Sequence, residues 1–126
     1  MKTILINLFV LMAISLSAQI EVEFLKTLGN GEIENLEVMM ANKINLNIDD
    51  AQMKIDKQKA ILKINTFFEN NRIIKYKLIH NGKSSDKNSS YRVARMTTPN
   101  GKYRVFVYSE KKLDQIKIVE IRINTM

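Results

Sequence analysis

The side chains able to do chemistry are few in this chain. His80 is the only histidine among 126 residues, and there is no cysteine. A multi-histidine or thiolate metal centre therefore lacks its ligands, and a disulfide or a cysteine nucleophile is excluded. His80 could act as general acid or base if it lined the mouth of a pocket. The competing reading is a strand-end histidine bonded to loop backbone or water. Asp49-Asp50 and the Asp86 region offer oxygen ligands without the carboxylate spacing of a calcium loop. No glycine-rich phosphate loop and no activated-serine signature occur. Tyr76 and Tyr103, read as inward-pointing, are the remaining pocket candidates. Their inward neighbours are mostly Ile, Val, Leu, Ala and Met, and Glu120 would join them only through a suitably placed bulge. An acid–base pair is missing, which argues against an enzyme; no metal and no cofactor are expected, since their ligand sets and binding loops are not found.

A second constellation concerns binding. By strand alternation Lys75, Lys77, Arg95, Arg104 and Lys117 fall on one sheet face, interleaved with Ile73, Tyr91, Val93, Phe106 and Tyr108. Cations attract anionic groups while rings supply stacking area. Three readings stay open: an anionic envelope ligand such as a glycan or lipid headgroup, a homodimer seam, or lysines that merely solvate an exposed sheet. The charge distribution bears on them. The chain carries +7 overall. Residues 19–71 hold six Lys against nine Asp or Glu, whereas residues 72–126 hold thirteen Lys or Arg against four acids. An anionic partner for the second half, or a solubilising face, follows from that asymmetry. Nucleic acid is not the expected partner of an exported protein.

The elements that must position these groups divide near Asn71. Before it, apolar residues recur with helical spacing; after it, they alternate. A first helix is expected over Ile20–Leu28, stopped by Gly29-Asn30-Gly31, whose glycines can take positive φ. A second is expected from Glu32, with Ile33, Leu36 and Met40 on one face. Lys43–Ile48 and Ala51–Ile55 read as short strands around an Asp49-Asp50 turn. Asp56 should cap a helix over Lys57–Asn70, its carboxylate accepting first-turn N–H groups. Ala60, Ile61, Ile64, Phe67 and Phe68 form that helix's apolar stripe. Burying its four large side chains contributes at most about 6–12 kcal/mol.

Four strands should follow: Ile73–His80, Tyr91–Thr98, Lys102–Ser109 and Gln115–Ile123. A polar loop is expected over Asn81–Ser89, a tight Pro99-Asn100-Gly101 hairpin after Thr98, and a turn around Leu113. Ile74, Tyr76, Leu78 and His80 should share one side. The parity switch from Ile116 and Ile118 to Val119, Ile121 and Ile123 calls for a β-bulge. Helices followed by an antiparallel meander make an α+β fold, with helices on one sheet face.

Residues 1–18 read as a signal peptide: Lys2, an apolar run from Ile4 to Leu16, then small Ser17 and Ala18. The run is too short to span a bilayer, and no later run is longer. Residues 19–126 would then be a single secreted or periplasmic domain without a membrane span or a lipid-anchored cysteine.

Particular residues carry a resemblance: Leu28-Gly29-Asn30-Gly31, the Asp56–Phe68 helix with its paired Phe67-Phe68, His80-Asn81-Gly82, Tyr91-Arg92-Val93 and the Thr97–Phe106 hairpin. On these the chain resembles domain-of-unknown-function family 4783, within the cone-shaped nuclear-transport-factor-2-like (cystatin-like) superfamily. The resemblance implies a cone of helices over a curved antiparallel sheet, secretion, and no assigned activity. The expectation is an exported, non-enzymatic binding or interaction domain, possible as a homodimer through the outer sheet face. The alternative is a small-molecule carrier, or an isomerase- or dehydratase-like enzyme, using Tyr76, His80 and Tyr103 in the cone.

Overall fold

A computed structural model describes residues 20–83 and 88–126. The expected leader, residues 1–18, and the Asp86 stretch lie outside the described residues. Helix α1 covers residues 20–29 and presents Phe24, Leu25 and Leu28, all fully buried, at i, i+1 and i+4. It ends where Gly31 takes φ +78°. Gly29 does not supply that conformation; it still lies in the helix, beneath the ring of Tyr76.

The next segment is helical but tighter than expected. Ile33–Met39 is a 3-10 helix. Ile33, Leu36 and Met39 recur every third residue, which suits three residues per turn, and Ile33 and Leu36 are buried. Met40, expected on that helix, instead opens the first strand and is buried there.

Among the described residues six strands follow the helical start: β1 Met40–Ile48, β2 Ala51–Asp56, β3 Lys75–Lys83, β4 Ser89–Thr98, β5 Gly101–Lys112 and β6 Gln115–Thr125. Helix α2, Lys57–Asn70, separates β2 from β3, with the bounds its periodicity predicts. The sheet order is β2-β1-β6-β5-β4-β3. Every neighbouring pair is antiparallel except β1 with β6, which run parallel. That pairing joins the first half of the chain to its last strand.

Turn chemistry fixes the hairpins. Asp49 and Asp50 take φ of 45° and 71°, and Leu113 and Asp114 take 51° and 63°. Paired left-handed residues twist a two-residue loop to match its strands. The Asp49 carboxylate also accepts from the N–H and the hydroxyl of Thr125, each at 2.9 Å, stapling the β1–β2 turn to the end of β6. Its Oδ1 is thus spent on structure.

The expected bulge in β6 is present. Tyr108 pairs with Glu120 and Ser109 with Ile118, which leaves Val119 as the extra residue. Ile118, Ile121 and Ile123 are consequently all fully buried on the inner face. Glu120, on the opposite parity to Ile121, faces outward. A second bulge, between Leu78 and His80 in β3, has no equivalent among the expectations. Beyond it Asn81–Lys83 continues the strand, pairing with Arg92–Ser90 where a loop was expected.

The core lies between the inner sheet face and the helices. Phe24, Leu25 and Leu28 of α1, Ile64 and Phe68 of α2, and Ile44, Leu46, Met96, Val105, Val107 and Ile121 of the sheet belong to one apolar cluster. Among the described residues no helix is long and apolar enough to cross a membrane.

Candidate functional site

Among the described residues one acid is buried in the interior, and periodicity alone disguises it. Glu21 sits three, four and seven residues before Phe24, Leu25 and Leu28, on the buried stripe of α1, and is 1 % exposed. Its Oε1 accepts from the hydroxyls of Ser90 and Ser109, the latter at 2.6 Å. The two serines are cross-strand partners in β4 and β5, 3.2 Å apart, and face inward. Among the described residues Oε2, also buried, has no hydrogen-bond partner. The clue available in the sequence is a charged residue at a core position of an amphipathic helix.

The candidate pocket residues do not converge on this carboxylate. Tyr103 is buried, but its hydroxyl donates to Asn71 Oδ1 at 3.0 Å, at the end of α2. Phe67 packs edge-on against its ring at 5.0 Å. Tyr76 is half-buried and covers Gly29. His80 is exposed, and the β3 bulge pairs it with Val93 rather than leaving it on the side of Tyr76 and Leu78. The bulge inserts Ile79, and the single extra residue turns His80 to the outer face. Among the described residues no group of three or more His, Asp or Glu side chains is placed to hold a metal ion.

The outer face follows from the strand register. One row runs Lys75–Thr97–Lys102 across β3, β4 and β5, and the next runs Lys77–Arg95–Arg104–Asn124 into β6. The third row is His80–Val93–Phe106–Arg122, and the fourth Gly82–Tyr91–Tyr108–Glu120. The sequence-predicted cations Lys75, Lys77, Arg95 and Arg104 are therefore brought together at one corner, with Lys102 and Thr97 as additions. Lys117 is not with them. It lies at the far end of β6, donating from Nζ to the Val38 carbonyl at 2.9 Å.

An aromatic centre adjoins the basic corner. Tyr91 stacks on Phe106 with centroids 5.4 Å apart, and the Arg122 guanidinium lies 5.2 Å from the Phe106 centroid. That is within cation–π range. Val93 is buried yet stands outside the main core, enclosed by this outer layer. Among the described residues the acids of this face are occupied, Glu120 with Arg122 at 2.6 Å, Glu110 with Lys112 at 3.4 Å and, on the far β2 edge, Asp56 with Lys43 at 2.6 Å. Among the described residues Lys75, Lys77, Arg95, Lys102 and Arg104 form no ion pair.

Two helices and a 3-10 turn over one face of a strongly paired six-stranded sheet, with the other face open, define the nuclear-transport-factor-2-like class of α+β folds. Solved structures agree. An NTF2-like protein of unknown function from Cytophaga hutchinsonii superposes with a TM-score of 0.63 at 7% identity, over 87% of this chain and 89% of that one. Higher identity is found with DUF4783 family proteins of two Bacteroides species. That from Bacteroides ovatus has 31% identity and a TM-score of 0.71, covering 76% of this chain and 86% of its own. That from Bacteroides fragilis has 27% identity and a TM-score of 0.70, covering 76% and 89%. The family model described as domain of unknown function DUF4783 matches residues 22–124, and the chain belongs to this family. A search of the curated proteins found no match.

Proposed function

We propose that the chain is an exported binding domain that carries out no chemistry of its own, and that its working surface is the outer face of the sheet. One observation carries the reading: the row Lys77–Arg95–Arg104 sets three cations side by side across three strands, and among the described residues no acid pairs with them. Like charges directly opposite one another destabilise a sheet. Such a row is easiest to understand as half of an interface whose other half is negative. Export rests on the leader-like residues 1–18.

The carrier or isomerase reading has less support. Proton transfer needs an acid and a base within reach of one substrate position. Glu21 is held by serines, Tyr103 by Asn71, and His80 is on the other side of the sheet. A homodimer through Tyr91, Val93, Phe106 and Tyr108 is a second reading, favoured by the apolar centre of the same face.

Sedimentation of the full chain, with retention on an anionic and a neutral matrix, tests both. Retention on the anionic matrix that fades steeply with salt supports the binding reading. A concentration-dependent dimer abolished by Phe106→Ser identifies the seam. A monomer that neither matrix retains overturns the assignment of the outer face.

A further inference from the structure

We propose that the basic corner of the outer face is a discrete site for a doubly charged, phosphate-type oxyanion. This deepens the reading above and rests on it. A groove of about 400 Å³ lies there, lined by Lys75, Tyr76, Lys77, Arg95, Thr97 and Lys102. That volume is in the range of small-ligand sites. Four of the six residues are cationic.

Three features separate this groove from an ordinary solvated surface. The first is spacing. Adjacent strands lie about 4.8 Å apart, so Lys75 and Lys102 flank Thr97 in one row while Lys77 flanks Arg95 in the next. The cations thus surround a point above Arg95 and Thr97. The second is the absence of local compensation: Glu110 and Glu120 are on this face but lie beyond the aromatic centre and pair with Lys112 and Arg122. The third is Arg95 itself. It is half-buried, and its Nε is enclosed with no hydrogen-bond partner among the described residues. A buried guanidinium donor left unpaired costs free energy, which a ligand oxygen would recover. The planar fork of arginine matches two oxygens of a tetrahedral anion, and lysines add point charge around it. Thr97 lines the same groove, and a threonine there offers a hydroxyl donor.

The charge count selects the ligand chemistry. A lone carboxylate needs one arginine; four cations around one small groove suit a group with two or more negative charges. Phosphate is that group. It can arrive on a soluble molecule or as the headgroup of an anionic lipid, and the experiment separates the two.

Titration calorimetry of the full chain with inorganic pyrophosphate, at low and high salt, is the first arm. Co-sedimentation with vesicles of phosphatidic acid against phosphatidylcholine is the second. One pyrophosphate should bind per chain, and Arg95→Gln should weaken it about tenfold or more, as loss of a charge-assisted bond does. Arg95→Lys should restore part of that loss, and Lys117→Gln, on the same sheet and far from the groove, should leave binding unchanged. Binding to pyrophosphate alone assigns a soluble ligand, and binding also to phosphatidic acid vesicles a headgroup. Equal weakening by Arg95→Gln and Lys117→Gln would overturn the discrete site while leaving a diffuse anionic surface. Absence of pyrophosphate binding at low salt, in a chain still retained on the anionic matrix, would likewise remove the site and spare the broader reading.

Discussion

The ring of Tyr76 occupies the space where a side chain at Gly29 would begin. A Cβ at position 29 would meet ring atoms of Tyr76 at 2.7 Å (Cε1) and 2.9 Å (Cγ), closer than real contacts allow. The last residue of α1 and the second residue of β3 are thereby locked together, and β3 is the strand that carries Lys75 and Lys77. The glycine serves the approach of helix to sheet, and Gly31 alone provides the left-handed exit.

Gly29→Ala therefore has a predictable sign. In a helix the change ordinarily stabilises by about 0.5–1 kcal/mol. Here it forces an aromatic ring away from a packed helix end, and overpacking costs about 1–3 kcal/mol. The second effect should win, lowering the urea midpoint. Adding Tyr76→Leu should return part of the loss, because the smaller side chain yields space. A Gly29→Ala variant more stable than the parent would show that the ring moves freely.

The buried Glu21 invites a comparison between removing the acid and removing its support. Ser90→Ala with Ser109→Ala leaves a buried carboxyl without its two donors, and each lost partner costs about 1–3 kcal/mol. Glu21→Leu removes the acid and fills the space with an apolar group between Phe24 and the sheet, which is often close to neutral. Urea unfolding should place the double serine variant below Glu21→Leu. The reverse order would mean that the carboxyl itself holds the open end of the core together.

These two sites also show what the sequence displays and what it hides. The limits of α2 were legible because Asp56 and a 3.6-residue stripe mark them, and the β6 bulge because Ile118 and Ile121 cannot both face inward on an unbroken strand. The hairpins were legible from Asn100-Gly101 and Asp49-Asp50. The β3 bulge was not, since Ile79 suits either face, and one unseen residue moved His80 from the expected pocket to the outer surface. The parallel β1–β6 pairing was hidden as well: it joins residues 75 or more positions apart, such as Ile48 and Ile123, through backbone bonds that no local pattern encodes. Glu21 drew no reading from the sequence, although it falls on the core stripe of α1, because no local pattern reveals the two serines that meet it across the sheet. Of the basic corner, the register put Lys75, Lys77, Arg95 and Arg104 together as alternation predicts, and placed Lys117 elsewhere.

Phe68 tests the packing of α2 directly. It is 6 % exposed and lies in the core cluster, with the Phe67 ring edge-on at 4.9 Å. Phe68→Asp buries a charge with no partner and should abolish cooperative unfolding. Phe68→Leu, which keeps the site apolar, should lower stability by only about 1–2 kcal/mol. Circular dichroism melts of both variants decide the matter; an Asp variant melting with the parent would mean that α2 does not cover the sheet.

Asp56 provides the pH-dependent case. It occupies the N-cap position of α2 yet makes no capping bond. Its Oδ1 instead accepts from Lys43 Nζ at 2.6 Å, across the β1–β2 pair. That hydrogen bond, with the charge of Lys43 and a lesser contribution from Lys59, holds the carboxyl below the usual aspartate range against a small opposing effect of burial. A folded-state pKa lowered in this way adds stability above the unfolded pKa, lost as pH falls through the folded value. Both groups are solvent-exposed, so the effect on the whole domain is small and the titration itself is the better measurement. Lys43→Met should move the Asp56 carboxyl, followed by NMR, up to the ordinary value, because the remaining pull of Lys59 is outweighed by the opposing effect of burial. An unmoved titration would mean that the released carboxylate has swung onto the free N–H groups of α2, which favour the ionised form as lysine does. The two outcomes separate a helix started by its cap from one whose first turn is held by the neighbouring hairpin.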